Sequence, residues 1–303
     1  MKKDTLAFLW TALLAFSLSA AEPADPHKKT IGVSLLTRDQ FYLDMEAAIK
    51  AEAEAQGFKT VIYSADLDAA KQTRQIEDLV TLKVDALVVC PVSSETVGKN
   101  LAVAEKAGIP VFTADIRAFG GTIVSHIASD NIQGGRLAAQ AMAKLLGGKG
   151  RILVIDHPEV SSVADRVKGF EEELKKSPGL AVVAKQAAKG TRSIARSVME
   201  DMLIRHPDLS GVFCINDNTA LGALSAVEKS GRKDIVIIGY DATPEAQEAI
   251  QRGSALKADA IQHPAEIGKA TVRTIASHLK GEKVPAVIPV DVGLFPSDVL
   301  SQK

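Results

Sequence analysis

Apolar and polar positions alternate along the chain with two periods. Short apolar runs at Ile31–Leu36, Thr60–Tyr63, Ala86–Val89, Val111–Thr113 and Ile123–Ser125 read as buried strands. Between them lie longer stretches with an apolar stripe at helical spacing, about Tyr42–Gln56, Ala69–Leu82, Ser94–Ala107 and Ile132–Leu146. Gly57, Gly108-Ile109-Pro110 and Gly147-Gly148 supply the helix stops. The pattern then restarts. Strands at Arg151–Ile155, Leu180–Lys185, Val212–Ile215, Ile235–Gly239 and Ala255–Ala260 alternate with helices at Val163–Lys175, Thr191–Arg205, Thr219–Ser230, Pro244–Arg252 and Pro264–Lys280. A strand at Val287–Asp291 and a tail from Val292 to Lys303 finish the chain. Strand and helix alternating at this spacing build parallel sheets covered on both faces. The expected fold is α/β, with two doubly wound parallel-sheet lobes joined near Ser129-Asp130. No short-period repeat interrupts this pattern, which argues against a solenoid.

Length and composition agree with that reading. The 303 residues suffice for two cores, and 46% apolar with 24% charged residues excludes both a disordered chain and a multi-span membrane protein. A formal net charge of −1 without a long basic run gives no footing for a nucleic-acid partner. The first residues form a separate object. Lys2 and Lys3 precede an apolar stretch at Thr5–Phe16, and Ser19-Ala20-Ala21 places small residues where a signal peptidase reads. Residues 1–21 are expected to be a signal peptide cleaved after Ala21, because a 12-residue stretch falls short of the roughly 20 needed to span a bilayer. The mature chain is then expected in the periplasm. Cys90 and Cys214 each end an apolar run in a different half, so two free thiols are expected rather than a disulfide.

In open parallel sheets, ligands bind beyond the carboxyl ends of the strands. The residues there are Thr37-Arg38-Asp39-Gln40-Phe41-Tyr42, Cys90-Pro91-Val92-Ser93 and Asp115-Ile116-Arg117 in the first half. In the second half they are Asp156-His157-Pro158-Glu159, Asn216-Asp217-Asn218 and Tyr240-Asp241. Carboxylates, amides and arginine bond adjacent hydroxyls, and aromatic faces cover the C–H side of a sugar ring. Some of these residues also suit helix caps, notably Asp130 with Asn131 and the Asp217-Asn218-Thr219 cluster. Asp156, His157, Glu159, Asp165 and Arg166 lie close in sequence and invite an acid–base reading. However, the chain has no G-x-S-x-G elbow, no phosphate-cradling loop and no metal-ligand spacing, so neither an enzyme, a metal nor a cofactor is expected.

Three segments carry a family resemblance. Val124-Ser125-His126-Ile127-Ala128-Ser129-Asp130-Asn131 is similar to the hinge-entry segment of ribose-binding proteins. Phe213-Cys214-Ile215-Asn216-Asp217 with Ala220-Leu221-Gly222-Ala223 resembles their second-lobe strand and helix. Val236-Ile237-Ile238-Gly239-Tyr240-Asp241-Ala242-Thr243-Pro244 looks like their V-G-F-D-x-T-P segment. The resemblance runs from Thr30 to Asp291, and the family is the type I periplasmic sugar-binding proteins that serve ABC importers. It implies a first lobe of 28–129 plus 263–291, a second of 130–262 plus 292–303, and a hinge of three crossovers. It implies Phe41 and Tyr42 as the aromatic pair against the sugar and Tyr240 as the aromatic of the other lobe. Asp115, Arg166, Asn216, Asp241 and Gln262 correspond to the polar contacts.

Several positions depart from the ribose pattern. Ile116 stands where an arginine is usual, with Arg117 next to it as a possible substitute. Cys90 stands for an asparagine, Leu36 for a small polar residue and Gly190 for an aromatic. The loop Thr37–Phe41, with Gln40 before its aromatics, lacks Asn-Pro and is one residue shorter. The expected function is capture of a monosaccharide, pentose-like, or a polyol, by a monomer whose closed shape an importer's membrane subunits recognise. The alternatives are an exported sensor or chemoreceptor partner, and a non-sugar ligand on the same scaffold.

Overall fold

The computed structural model describes residues 28–301, so the expected leader at 1–21 lies outside the described residues. The first part of the chain runs β1 (Thr30–Leu35), α1 (Gln40–Ala55), β2 (Lys59–Ser64), α2 (Ala69–Thr81), β3 (Ala86–Val89), α3 (Ser94–Asn100), α4 (Ala102–Lys106), β4 (Val111–Ala114) and β5 (Ser125–Ser129). The second continues α5 (Asn131–Leu145), β6 (Lys149–Asp156), α6 (Ser161–Leu174), β7 (Gly179–Ala187), α7 (Arg192–Arg205), β8 (Gly211–Cys214), α8 (Asp217–Ser230), β9 (Val236–Asp241), α9 (Pro244–Gln251) and β10 (Leu256–Ile261). After it come α10 (Pro264–Leu279), β11 (Val287–Val290) and β12 (Gly293–Phe295).

Among the described residues the strands form two six-stranded sheets, ordered β11-β5-β4-β3-β1-β2 and β12-β10-β9-β8-β6-β7. Both lobes therefore wind in the same order outward from β1 and β6. All pairings are parallel except that of β12, which runs antiparallel on β10. Strands such as β3, buried on both faces, explain the unbroken apolar runs of the sequence. The chain crosses between the sheets after β5, after β10 and after β11.

Three elements differ from the sequence expectation. The strand expected at Ile123–Ser125 is β5, which starts two residues later and ends four later at Ser129, because its buried polar side chains hid it from a hydropathy reading. Those side chains are paired inside the lobe: the Ser125 hydroxyl donates to the Pro285 carbonyl at 2.7 Å, and Thr113 Oγ1 meets His126 Nδ1 at 2.9 Å. The helix expected over Ser94–Ala107 is interrupted at Leu101. The tail contains β12, too short to leave a periodic signal.

Side-chain caps start several of the helices, whereas α6 and α7 begin without one. Asp39, Ser93, Asp130 and Asn216 each accept a backbone N–H from the first turn of α1, α3, α5 and α8. The lobes also touch directly. The Ser94 N–H donates to the Glu159 carbonyl (3.1 Å), the Ser161 N–H to Ser94 Oγ (2.9 Å) and the Arg117 N–H to Ser161 Oγ (2.9 Å).

Helices α5 and α6 cross at two glycines. A Cβ on Gly135 would lie 2.0 Å from the Arg166 carbonyl oxygen, and one on Gly169 would lie 2.1 Å from that of Ile132. Gly135→Ala should therefore lower the free energy of chemical unfolding by about 1–3 kcal/mol. An unchanged denaturation midpoint would show that the helices part without cost. His126 offers a second check. Burial, aided by the Arg117 charge, pulls its pKa down to about 4 from 6.5. The stability this neutral imidazole contributes is complete above pH 6.5 and is lost as pH falls toward 4. Relative to His126→Gln, the native protein should lose up to about 3 kcal/mol across that window; parallel stability curves would contradict it.

Candidate ligand site

The carboxyl ends of the two sheets face each other across a cavity of about 300 Å³. From the first lobe come Leu36, Thr37 and Asp39 after β1, Phe41 and Tyr42 in α1, Leu67 after β2, and Asp115 with Ile116 after β4. From the second come the start of α6 with Arg166, the loop around Gly190, Asn216 after β8, Asp241 at the end of β9, and Gln262 at a crossover between lobes.

Arg166 is only 5% exposed. Its Nε donates to Asn131 Oδ1 at 2.8 Å and its Nη1 to the Ile215 carbonyl at 2.7 Å, while the guanidinium lies 4.0 Å from the Tyr240 ring centroid. Opposite, the Tyr42 hydroxyl donates to Asp115 Oδ2 at 2.6 Å. Burial pushes the Asp115 pKa up, and the Arg166 charge and the Tyr42 hydrogen bond oppose that rise. Asp115 Oδ1 is buried without a partner. Gln262 donates to Asp241 Oδ1 at 2.7 Å, and its own Oε1 is likewise buried and unpartnered. Burial, and then the Asp217 charge, hold the Asp241 pKa well above the usual carboxylate range. The two central carboxylates stand on left-handed backbone, with φ of 62° at Asp115 and 120° at Asp241. Such conformations cost energy in any residue but glycine and persist where the surroundings fix them. Here the Asp115 N–H donates to the Ile127 carbonyl at 2.8 Å, and the turn after Asp241 is held by the Asp217 and Asp259 carboxylates.

Of the residues singled out from sequence, Phe41, Tyr42, Asp115, Arg166, Asn216, Asp241 and Gln262 are brought together on this cavity. Asn216 is partly committed: its Oδ1 caps α8 through Thr219, and its Nδ2 donates to the Gly190 carbonyl at 3.2 Å. Four others sit elsewhere. Tyr240 is fully buried behind the Arg166 guanidinium and leaves the cavity wall to Arg166. Cys90 is fully buried near Tyr42 and Asp115, its thiol pKa pushed up by burial and by the Asp115 charge. Gln40, the first residue of α1, bonds Asp44 in solvent and lines an adjoining cavity. Arg117 turns away to a further cavity on the hinge side, beside His126 and Asp165, which leaves Ile116 facing the ligand space. Both cysteines are free thiols.

Leu67, Val160, Ser162 and Val163 line the cavity without having been expected there, and of the Lys189–Arg192 loop the sequence marked only Gly190. The rule of looking beyond strand ends covers Leu67 after β2 and Lys189 after β7. The start of α6 gave no separate signal, because its valines read as core.

A family model for the periplasmic binding protein domain matches residues 31–283. The ribose import binding protein of Escherichia coli (strain K12) is 35% identical over 94% of this chain and 97% of its own length. Among solved structures, a solute-binding protein from Agrobacterium vitis holding α-D-tagatopyranose superposes with a TM-score of 0.86 at 29% identity, covering 91% of this chain and 97% of that one. One from Bacillus halodurans holding myo-inositol gives 0.84 at 30%, covering 92% and 98%. The chain belongs to the periplasmic binding proteins, a family of solute-binding proteins.

Tyr42→Phe removes the one hydroxyl bonded to Asp115. Thermal unfolding should show a loss of about 1–3 kcal/mol at neutral pH. The deficit should shrink as pH falls and Asp115 takes up its proton in both proteins; a deficit independent of pH would mean that the hydroxyl does not serve the carboxylate.

Proposed function

We propose that this periplasmic binding protein captures a monosaccharide or a polyol between its lobes and presents it to the membrane subunits of an ABC importer. The observation that carries this reading is the pair of buried, unpartnered acceptors, Asp115 Oδ1 and Gln262 Oε1, on either side of one Arg166-lined cavity. A buried acceptor without a donor costs about 1–3 kcal/mol. A polyhydroxylated ligand relieves both acceptors at once and accepts in turn from the guanidinium. The ribose, tagatose and myo-inositol in the names of the relatives support the same class.

On this reading the lobes comprise residues 28–129 with 263–291 and 130–262 with 292–303, and the three crossings between them are the hinge. A ligand touching both lobes stabilises the closed state by its differential affinity for it. Phe41 covers the ligand's C–H face, while Asp115, Arg166, Asn216, Asp241 and Gln262 make the polar contacts. Residues 1–21 direct export and are removed, and the mature protein works as a monomer. Binding needs no metal or cofactor.

A thermal-shift screen of the chain from Glu22 onward, against pentoses, hexoses, deoxy sugars, polyols and nucleosides, tests the reading. A true ligand at one-hundredfold over its Kd should add about 2.7 kcal/mol of stability. A shift with nucleosides alone would replace the substrate class and leave the fold untouched.

A further inference from the structure

The walls of the cavity are chemically unequal. On the first lobe, Thr37 is the only lining side chain with a hydroxyl hydrogen to spare, because that of Tyr42 is taken by Asp115. The rest of that wall, apart from the acceptors Asp39 and Asp115, is Leu36, Phe41, Leu67 and Ile116. On the second lobe Val160, the extended residue before α6, is followed at three-residue spacing by Val163 and Arg166 within the helix, and all three line the cavity. At 1.5 Å per residue the helical step from Val163 to Arg166 rises roughly 4.5 Å, and Val160 extends the row beyond the helix start. The arginine end abuts the hinge through Asn131. The valine end meets the segment after Asp115, because the Arg117 N–H donates to Ser161 Oγ at 2.9 Å. Ile116, Val160 and Val163 belong to one apolar cluster that crosses from lobe to lobe.

Leu67 adds an independent observation. It is 42% exposed, a large apolar side chain kept at the ligand space instead of in a core. Its backbone and that of Asp66 stand at φ of 65° and 51°, two consecutive left-handed residues that are not glycine. The Leu67 N–H donates to the Leu36 carbonyl at 3.0 Å, which fixes the turn. An aliphatic side chain held in a costly conformation over a binding cavity points to a use for that side chain.

Resting on the sugar-binding reading, the geometry points to a ligand with one hydroxyl-free end: a deoxy sugar or deoxy polyol. Its hydroxyls face Asp115, Arg166, Asp241 and Gln262, and its methyl or methylene end packs against Leu67, Ile116, Val160 and Val163. Beside those aliphatic side chains the lining offers a hydroxyl few partners, Thr37, Ser162 and His157 among them, so a hydroxyl at that end loses more water contacts than it regains. An aliphatic surface alone discriminates weakly between isosteres, so the preference for the deoxy form should be about ten- to one-hundredfold.

Calorimetric titration of the mature protein with matched pairs tests this: D-fucose against D-galactose, L-rhamnose against L-mannose, and 5-deoxy-D-ribose against D-ribose. In whichever pair binds, the deoxy member should have a Kd lower by about tenfold or more. Ile116→Asn, which gives the wall a donor, should narrow or reverse that ratio. Because Ile116 is buried, Leu67→Ser on the exposed turn serves as the second variant and should narrow it too. Tighter binding of the fully hydroxylated partner by the native protein overturns the inference and leaves the sugar reading intact. An unchanged ratio in both folded variants overturns the assignment of the apolar wall. Binding of no sugar or polyol in either series overturns the sugar reading, and this inference with it.

Discussion

A guanidinium buried between two lobes must find partners on every side or it cannot stay there. Arg166 meets that demand with groups from different parts of the chain: Asn131 at the start of α5, the Ile215 carbonyl beyond β8, and the Tyr240 ring from β9. Each partner is thereby fixed in turn. Tyr240 cannot move toward the cavity because the guanidinium covers its face, and its hydroxyl already fills the space over Gly134, where a Cβ would come within 1.9 Å. The Gly135 and Gly169 crossing brings α6 close enough to α5 for the reach from Arg166 to Asn131. The charge also acts across the cleft on Asp115, where it offsets part of the cost of burial. The polar end of the ligand space follows from the satisfaction of this one cation.

A second constraint supports the first from behind the second sheet. Asp217 and Asp259 crowd around Gly239, whose Cβ would lie 2.5 Å from Asp259 Oδ2 and 3.1 Å from Asp217 Oδ1. Burial and mutual repulsion raise the pKa of Asp259 well above normal, so that the pair does not carry two full charges. Their other oxygens accept the Ala242 N–H at 3.1 Å and the Thr243 N–H at 2.6 Å. These bonds keep Asp241 and Ala242 at positive φ and so aim the Asp241 carboxylate into the cleft. A strained turn at the site is thus stabilised by acids that never touch the ligand space.

The two ends of the cavity obey different physics. Near the hinge, buried donors and acceptors are paired in fixed directions, and a ligand must match them. Toward Val160 and Ile116 the surface is mostly aliphatic, interrupted by Ser162 and His157, and shape weighs more there than hydrogen-bond direction. The direct hydrogen bonds of Ser94 and Ser161 join the lobes beside that apolar end, where Ile116, Val160 and Val163 are buried.

Much of this was legible in the chain itself. Alternating strand and helix periods dictate two doubly wound sheets, because runs of β-branched and aliphatic residues bounded by glycine have few other ways to bury both faces. The rule that ligands sit beyond strand ends found Asp115, Asn216 and Asp241, and the motif resemblance added Arg166 and Gln262. What sequence could not supply was direction. Arg117 and Ile116 are neighbours, and the turn that sends the isoleucine to the cavity and the arginine away from it is held by the left-handed Asp115 and by contacts with distant segments, the Asp115 N–H on the Ile127 carbonyl and the Arg117 N–H on Ser161 of the other lobe. Tyr240 read as a ligand aromatic, yet a cation from α6 took its exposed face. β5 was misplaced because Ser125 and His126 find partners at Pro285 and Thr113, contacts that no local window contains. Residue type sets what a side chain can bind; which side of the backbone it leaves from, and what already occupies that space, is decided by segments distant in the chain.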